Sequence, residues 1–170
     1  MALELAKARP ELVQSLFVTG VGGFAGRRWL MAMAPYVLFP MVRLQSVLPD
    51  SLNDYMLRRM GIQMPQGLQE DIYANAKFSM LKQAYTSIVD YGDGVPLPMR
   101  TLAVAGERQD DVEGTRRLGQ VLRGGCDESR AFVVNGAVHA WNLQWPELFA
   151  EGIKAWIERR ELPEEFKELR

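Results

Sequence analysis

The sequence predicts an α/β chain with about three parallel strands, flanking helices and a helical insertion of about 70 residues. Three observations carry this. Val13–Thr19, Thr101–Ala105 and Ala131–Val134 are short apolar runs, and each ends at glycine or Asn-Gly. The last two alternate with helical sequence, the order expected of a parallel sheet. From Phe24 to about Tyr91 the pattern is helical, so the insertion falls between the first and second strands.

The chain opens with Ala2–Ala8, a stretch of high helix propensity that Pro10 ends. A helix so short is marginal alone and reads as the tail of a longer one. The first strand, Val13–Thr19, closes at Gly20-Val21-Gly22-Gly23. Within the insertion, Asp50 or Ser51 is placed to cap a helix running to Met60, and Pro65-Gln66-Gly67 separates it from the next. Leu68, Ile72, Ala76, Met80, Ala84 and Ile88 recur every four residues, predicting one long helix. That stripe suits a core face or a substrate-facing lid. Gly92-Asp93-Gly94, Pro96 and Pro98 end the block. After the second strand a helix is expected over Val112–Leu122, with Leu118, Val121 and Leu122 on one face. The final helix starts near Pro146, a favoured first position. It is expected to bury Leu148, Phe149, Ile153, Trp156 and Ile157, with Glu158–Glu161 as a solvated charged tail. The expected organisation is therefore 1–23, 24–95 as a helical cap, and 96–170.

Composition narrows the chemistry. The 170 residues can bury a real core, and 48% hydrophobic with 24% charged is ordinary for a soluble globular chain. A net charge of −1 gives no broad attraction for nucleic acid or an acidic membrane. Cys126 is the sole cysteine, which excludes an internal disulfide and disfavours a cysteine zinc site. His139 is the sole histidine, which excludes the HExxH pattern but not a mechanism needing one imidazole. Met1–Ala8 carries Glu4 and does not read as a secretory leader. Trp29–Val42 is apolar but interrupted by Pro35 and Pro40, and shorter than the roughly 20 residues a bilayer span needs. No integral membrane segment is expected, and a cytoplasmic location fits the single free thiol.

Three signatures compete. Val18–Gly26 follows a strand and fits the TGxxGxxG pattern of short-chain dehydrogenases, and Tyr73 with Lys77 supplies a YxxxK spacing. Its context is wrong: a helix precedes the strand, and no second strand ending in an acid follows about 20 residues on. The second is Gly106-Glu107-Arg108-Gln109-Asp110-Asp111, directly after a strand. Acids there point into the crevice of an open sheet, but Asp110 with Glu113 also has capping-box spacing, and Asp111 suits an N-cap. The third is Asn135–Asn142, a loop after a strand that carries His139. An acid and a histidine on neighbouring loops are what a general base needs, since the acid fixes the tautomer.

Taken in order, these segments resemble the carboxy-terminal half of the α/β-hydrolase superfamily. Ala8–Gly20 is similar to the stretch from the nucleophile helix into strand six, and Pro98–Glu107 to strand seven with its GE turn. Gly136–Trp141, then Pro146–Phe149 and Trp156-Ile157, resemble the histidine loop and last helix. The block between Phe24 and Val95 falls where that family inserts its lid. The resemblance implies His139 as catalytic base. The family's GExD would put the acid at Gln109, so the acid is shifted to Asp110, with Asp111 next.

The resemblance also implies a serine in a GxSxG turn. None of Ser15, Ser46, Ser51, Ser79, Ser87 and Ser129 has that frame. Without nucleophile and oxyanion donors, histidine and acid cannot perform acyl transfer, so the chain alone is expected to be silent. The leading reading is part of a serine-type hydrolase for an ester, thioester or related small substrate, with no cofactor and no metal. The alternatives are a non-catalytic interaction protein that self-associates or takes a partner half through an open strand edge, and an NAD(P)-binding fragment.

Overall fold

The computed structural model describes residues 2–21, 28–62, 64–65, 67–91 and 94–170. The chain divides into two compact units, residues 1–25 with 93–170, and residues 26–92.

In the first unit, α1 (Ala2–Ala8) and a single 3-10 turn at Pro10–Leu12 lead into β1 (Ser15–Thr19). β2 (Arg100–Gly106), α6 (Val112–Arg123) and β3 (Arg130–Val134) follow. A single turn, α7 (Trp141–Gln144), precedes α8 (Pro146–Ile157) and β4 (Phe166–Glu168). The sheet order is β1-β2-β3-β4. β1 and β3 flank β2 in parallel, with Ser15 opposite Arg100 and Gly106 opposite Val134. These are the expected three parallel strands.

β2 sits centrally, and Leu102, Ala103, Val104 and Ala105 are each 0% exposed. Such a strand must be apolar on both faces, which is why its sequence does not alternate. Leu102, Val104 and Val134 meet Trp141, Trp156 and Phe166 in one core, with Phe17 and Phe149 at its margin. The Trp141 ring lies 4.7 Å from Phe149 and 5.7 Å from Phe166, both edge-to-face. The other face carries Ala103, Ala105 and Ala131. α6 packs against β2 and β3 and buries Leu118 and Leu122, as expected.

The carboxy terminus departs from expectation. Glu158–Glu161 is exposed, but the chain then returns as β4, antiparallel to β3, with Phe166 opposite Val134. A run of three strand residues rich in Lys and Glu gives little periodic signal; Phe166 and, directly after the strand, Leu169 anchor it in the core. On α8, Trp156 is buried as expected, together with Gly152 and Ala155; Leu148, Phe149 and Ile153 are half-buried, and Ile157 is 63% exposed.

The second unit holds α2 (Arg28–Gln45), α3 (Asp50–Arg59), α4 (Leu68–Asn75) and α5 (Phe78–Tyr91). Pro35 and Pro40 do not interrupt α2, which runs through both. A proline removes one ladder donor and strains the preceding turn, yet the remaining bonds and packing can hold the helix. α2 lies along α5, where Phe78 meets Tyr36 and Phe39 at ring distances of 5.1 and 5.8 Å. Asp50 is the first residue of α3 rather than its cap; Pro49 holds the cap position with no side-chain cap bond.

The long helix expected from the four-residue repeat is two helices, interrupted at Ala76-Lys77. The interruption shifts the phase. Ile72 and Met80 are 42% and 52% exposed, while Phe78, Leu81 and Tyr85 are half-buried. Val42, Ile72, Ala76, Met80 and Leu81 line an apolar groove of about 330 Å³ within this unit. No helix among the described residues is long and apolar enough to cross a membrane.

Candidate active site

Because β1, β2 and β3 run parallel, their carboxyl ends share one edge of the sheet. Loops leaving that edge converge, and ligand crevices of open α/β sheets form there. Gly20 leaves β1, Glu107–Asp111 leaves β2, and Asn135–Ala140 leaves β3.

The acid comes from the β2 loop. Asp110 folds back on the strand end: its N–H donates to Gly106 O at 3.2 Å, and its Oδ2 accepts Gly106 N–H at 2.7 Å. The side chain is 4% exposed. Its other oxygen faces the β3 loop, where His139 Nδ1–H donates to Asp110 Oδ1 at 2.6 Å. An ionised carboxylate only accepts, so in the neutral imidazole Nδ1 carries the proton and Nε2 keeps its lone pair. The His139 side chain is 64% exposed, so that lone pair is open to a reacting group. The hydrogen bond to Asp110 raises the imidazole pKa above its ordinary value; partial burial works against this, and the charge of Asp110 adds to it.

Asp111 stands apart from this pair. Its Oδ1 accepts Gly114 N–H at 2.9 Å and caps α6. The cap is thus made by Asp111 and Gly114, not by Asp110 with Glu113. One aspartate ends at the helix and its neighbour at the imidazole.

Two glycines allow the close approach. Gly20 has φ of +66°, and a Cβ there would lie 2.6 Å from His139 Cε1. Both the backbone angle and the space require glycine. A Cβ on Gly106 would lie 2.6 Å from Val138 O. The histidine loop is also tied to β1: the indole N–H of buried Trp141 donates to Thr19 Oγ1 at 2.8 Å. Buried Gln144 accepts Val138 N–H at 2.9 Å. Sequence reasoning singled out neither Thr19 nor Gln144. Thr19 was legible as a strand end and as the threonine of the TGxxGxxG pattern, not as a partner of Trp141, and Gln144 as a polar residue beside two tryptophans.

Other candidate residues lie elsewhere. Ser15 begins β1 and Ser129 precedes β3, at the opposite edge of the sheet; Ser129 Oγ accepts Thr101 N–H at 3.1 Å. Cys126 is a free thiol in the turn before β3. Among the described residues, no hydroxyl or thiol is hydrogen-bonded to His139, and none group as metal ligands. Of the dehydrogenase-like signature, residues 22–27 lie outside the described residues, while Tyr73 is in α4 and Lys77 follows it, both in the helical unit.

No family model matches the chain. It is 26% identical to a protein of Gibberella zeae described as an AB hydrolase superfamily protein, over 98% of this chain and 55% of that protein. The chain thus spans about half the length of the curated relative it matches. A crystal structure of a serine hydrolase involved in carbazole degradation, the CarC enzyme, superposes with a TM-score of 0.57. That match has 16% identity and covers 94% of this chain and 59% of the other. The fold is therefore a part of the one these proteins share.

Proposed function

We propose, starting from a chain that has part of the α/β-hydrolase fold and is related to that superfamily, that His139 is the general base of a serine-type hydrolase and Asp110 its orienting acid. The observation that carries this is the 2.6 Å bond from His139 Nδ1–H to Asp110 Oδ1 at the carboxyl edge of the parallel strands. An imidazole held by Nδ1 offers Nε2 to take a proton from an attacking hydroxyl and return it to a leaving group. The substrate class is an ester, thioester or related small acyl compound, and no cofactor takes part. The serine and the oxyanion donors come from residues beyond these 170, so this chain alone turns nothing over. A cytoplasmic location belongs to the same reading, supported by the lone free thiol of Cys126.

The test is genetic, then enzymatic. Reading the coding sequence upstream of Met1 should reveal a GxSxG turn shortly before Ala2. The joined product should hydrolyse p-nitrophenyl esters, and His139→Ala should lower kcat by roughly 10³-fold or more. Absence of that turn, or activity indifferent to His139, would overturn the reading.

A second reading is favoured by one feature. Among the described residues β1 ends the sheet and pairs with β2 alone, and Leu5 and Leu12 before it are 49% and 62% exposed. An unpaired strand edge beside exposed leucines suits self-association or a partner half. A monodisperse monomer with cooperative unfolding, by light scattering and calorimetry, would count against it.

A further inference from the structure

The loop after β2 meets the loop after β3 along hydrogen bonds that continue the strand pairing past its end. Glu107 N–H donates to Val134 O at 3.2 Å, and Arg108 N–H donates to Ala137 O at 2.9 Å. Glu107 Oε2 accepts Gly136 N–H at 2.6 Å, and Gln109 Oε1 accepts His139 N–H at 3.1 Å. Only the last of these ends on the residue that carries the imidazole. His139 is thus held at two points by two consecutive residues, its main chain by Gln109 and its ring by Asp110.

The two holds do different work. With 64% of its side chain exposed, His139 is packed on one side only, against Gly20. A single bond at Nδ1 leaves the main chain free to drift, and the ring bond must then stretch or follow. Anchoring the main-chain N–H removes that freedom. The chemistry of the anchor also matters. A carboxylate at this place would set a second negative charge beside the imidazole and favour its protonated form, whereas an amide oxygen accepts the bond without a charge.

We propose that Gln109 is a positioning residue for His139, a neutral acceptor that fixes the histidine main chain so that Asp110 can hold the ring. This rests on the reading of His139 as the base. Gln109 touches no reacting atom; it acts through His139.

The sole histidine makes the test direct. In the ¹⁵N-labelled full chain, His139 should show one tautomer with the proton on Nδ1, and a protected backbone amide. Gln109→Leu should speed exchange of that amide about fivefold to tenfold, as loss of one hydrogen bond implies, and broaden the Nδ1 proton resonance. Gln109→Glu keeps an acceptor and should keep the amide protected. Should the Leu variant unfold, Gln109→Ala replaces it and should show the same loss. Unchanged exchange and an unchanged tautomer in the Leu or Ala variant would overturn the positioning role and leave the catalytic reading standing. A wild-type imidazole carrying its proton on Nε2 would overturn both.

Discussion

Gly20 lies against the imidazole of His139, so closely that a single added carbon would sit 2.6 Å from Cε1. The contact joins the end of β1 to the loop after β3, passing over β2. The position of the proposed base therefore depends on a residue that bears no functional group. Gly20→Ala should cost about 1–3 kcal/mol, because it strains a left-handed backbone angle as well as crowding the ring. Urea unfolding measures that cost, and loss of the Nδ1 proton resonance shows displacement of the ring.

Asp110 is the principal cause of the raised His139 pKa, so removing its charge should lower the titration midpoint. The Hε1 resonance of the single histidine should titrate above 6.5 in the wild type, and Asp110→Asn should titrate lower. The folded-state value exceeds the unfolded one, so folding binds the proton more tightly. Its stabilising contribution is complete below about pH 6.5 and is lost as pH rises through the folded value. Urea midpoints measured across that window should fall with pH in the wild type, and by less in Asp110→Asn.

Asp111→Ala should separate the neighbouring acids. Losing the α6 cap should cost about 1 kcal/mol, read by thermal unfolding. The His139 titration should stay unchanged. A lowered midpoint would show instead that Asp111 holds the imidazole.

Thr19→Val removes the acceptor of the Trp141 indole while keeping the side chain's shape. A buried donor left unpaired should destabilise the chain by about 1–3 kcal/mol. The His139 backbone amide should also exchange faster, because the turn after it loses its tie to β1.

The fold was most legible in the sequence where one physical cause dominated. β2 is buried on both faces, so its apolar run is unbroken and its position was plain. The acid and histidine loops were legible because glycine marks both strand ends and the chain has one imidazole. The division of labour between Asp110 and Asp111 was not: two adjacent aspartates before a helix carry the same local signal. Only the turn that folds Asp110 back onto Gly106 distinguishes them. The repeat from Leu68 to Ile88 misled because a four-residue period says nothing about a local interruption at Ala76-Lys77. β4 was missed for the opposite reason, since its place depends on the tertiary fit of Phe166.

That last strand has a consequence for assembly. β4 is three residues long, and Lys167 and Glu168 are exposed. Short, charged outer strands discourage further pairing. At the opposite margin, β1 is longer, uncharged and preceded by exposed leucines. The sheet is thus directional: one margin is blunted and the other receptive. Any strand that extends it should join beside β1, next to Gly20 and the imidazole it supports.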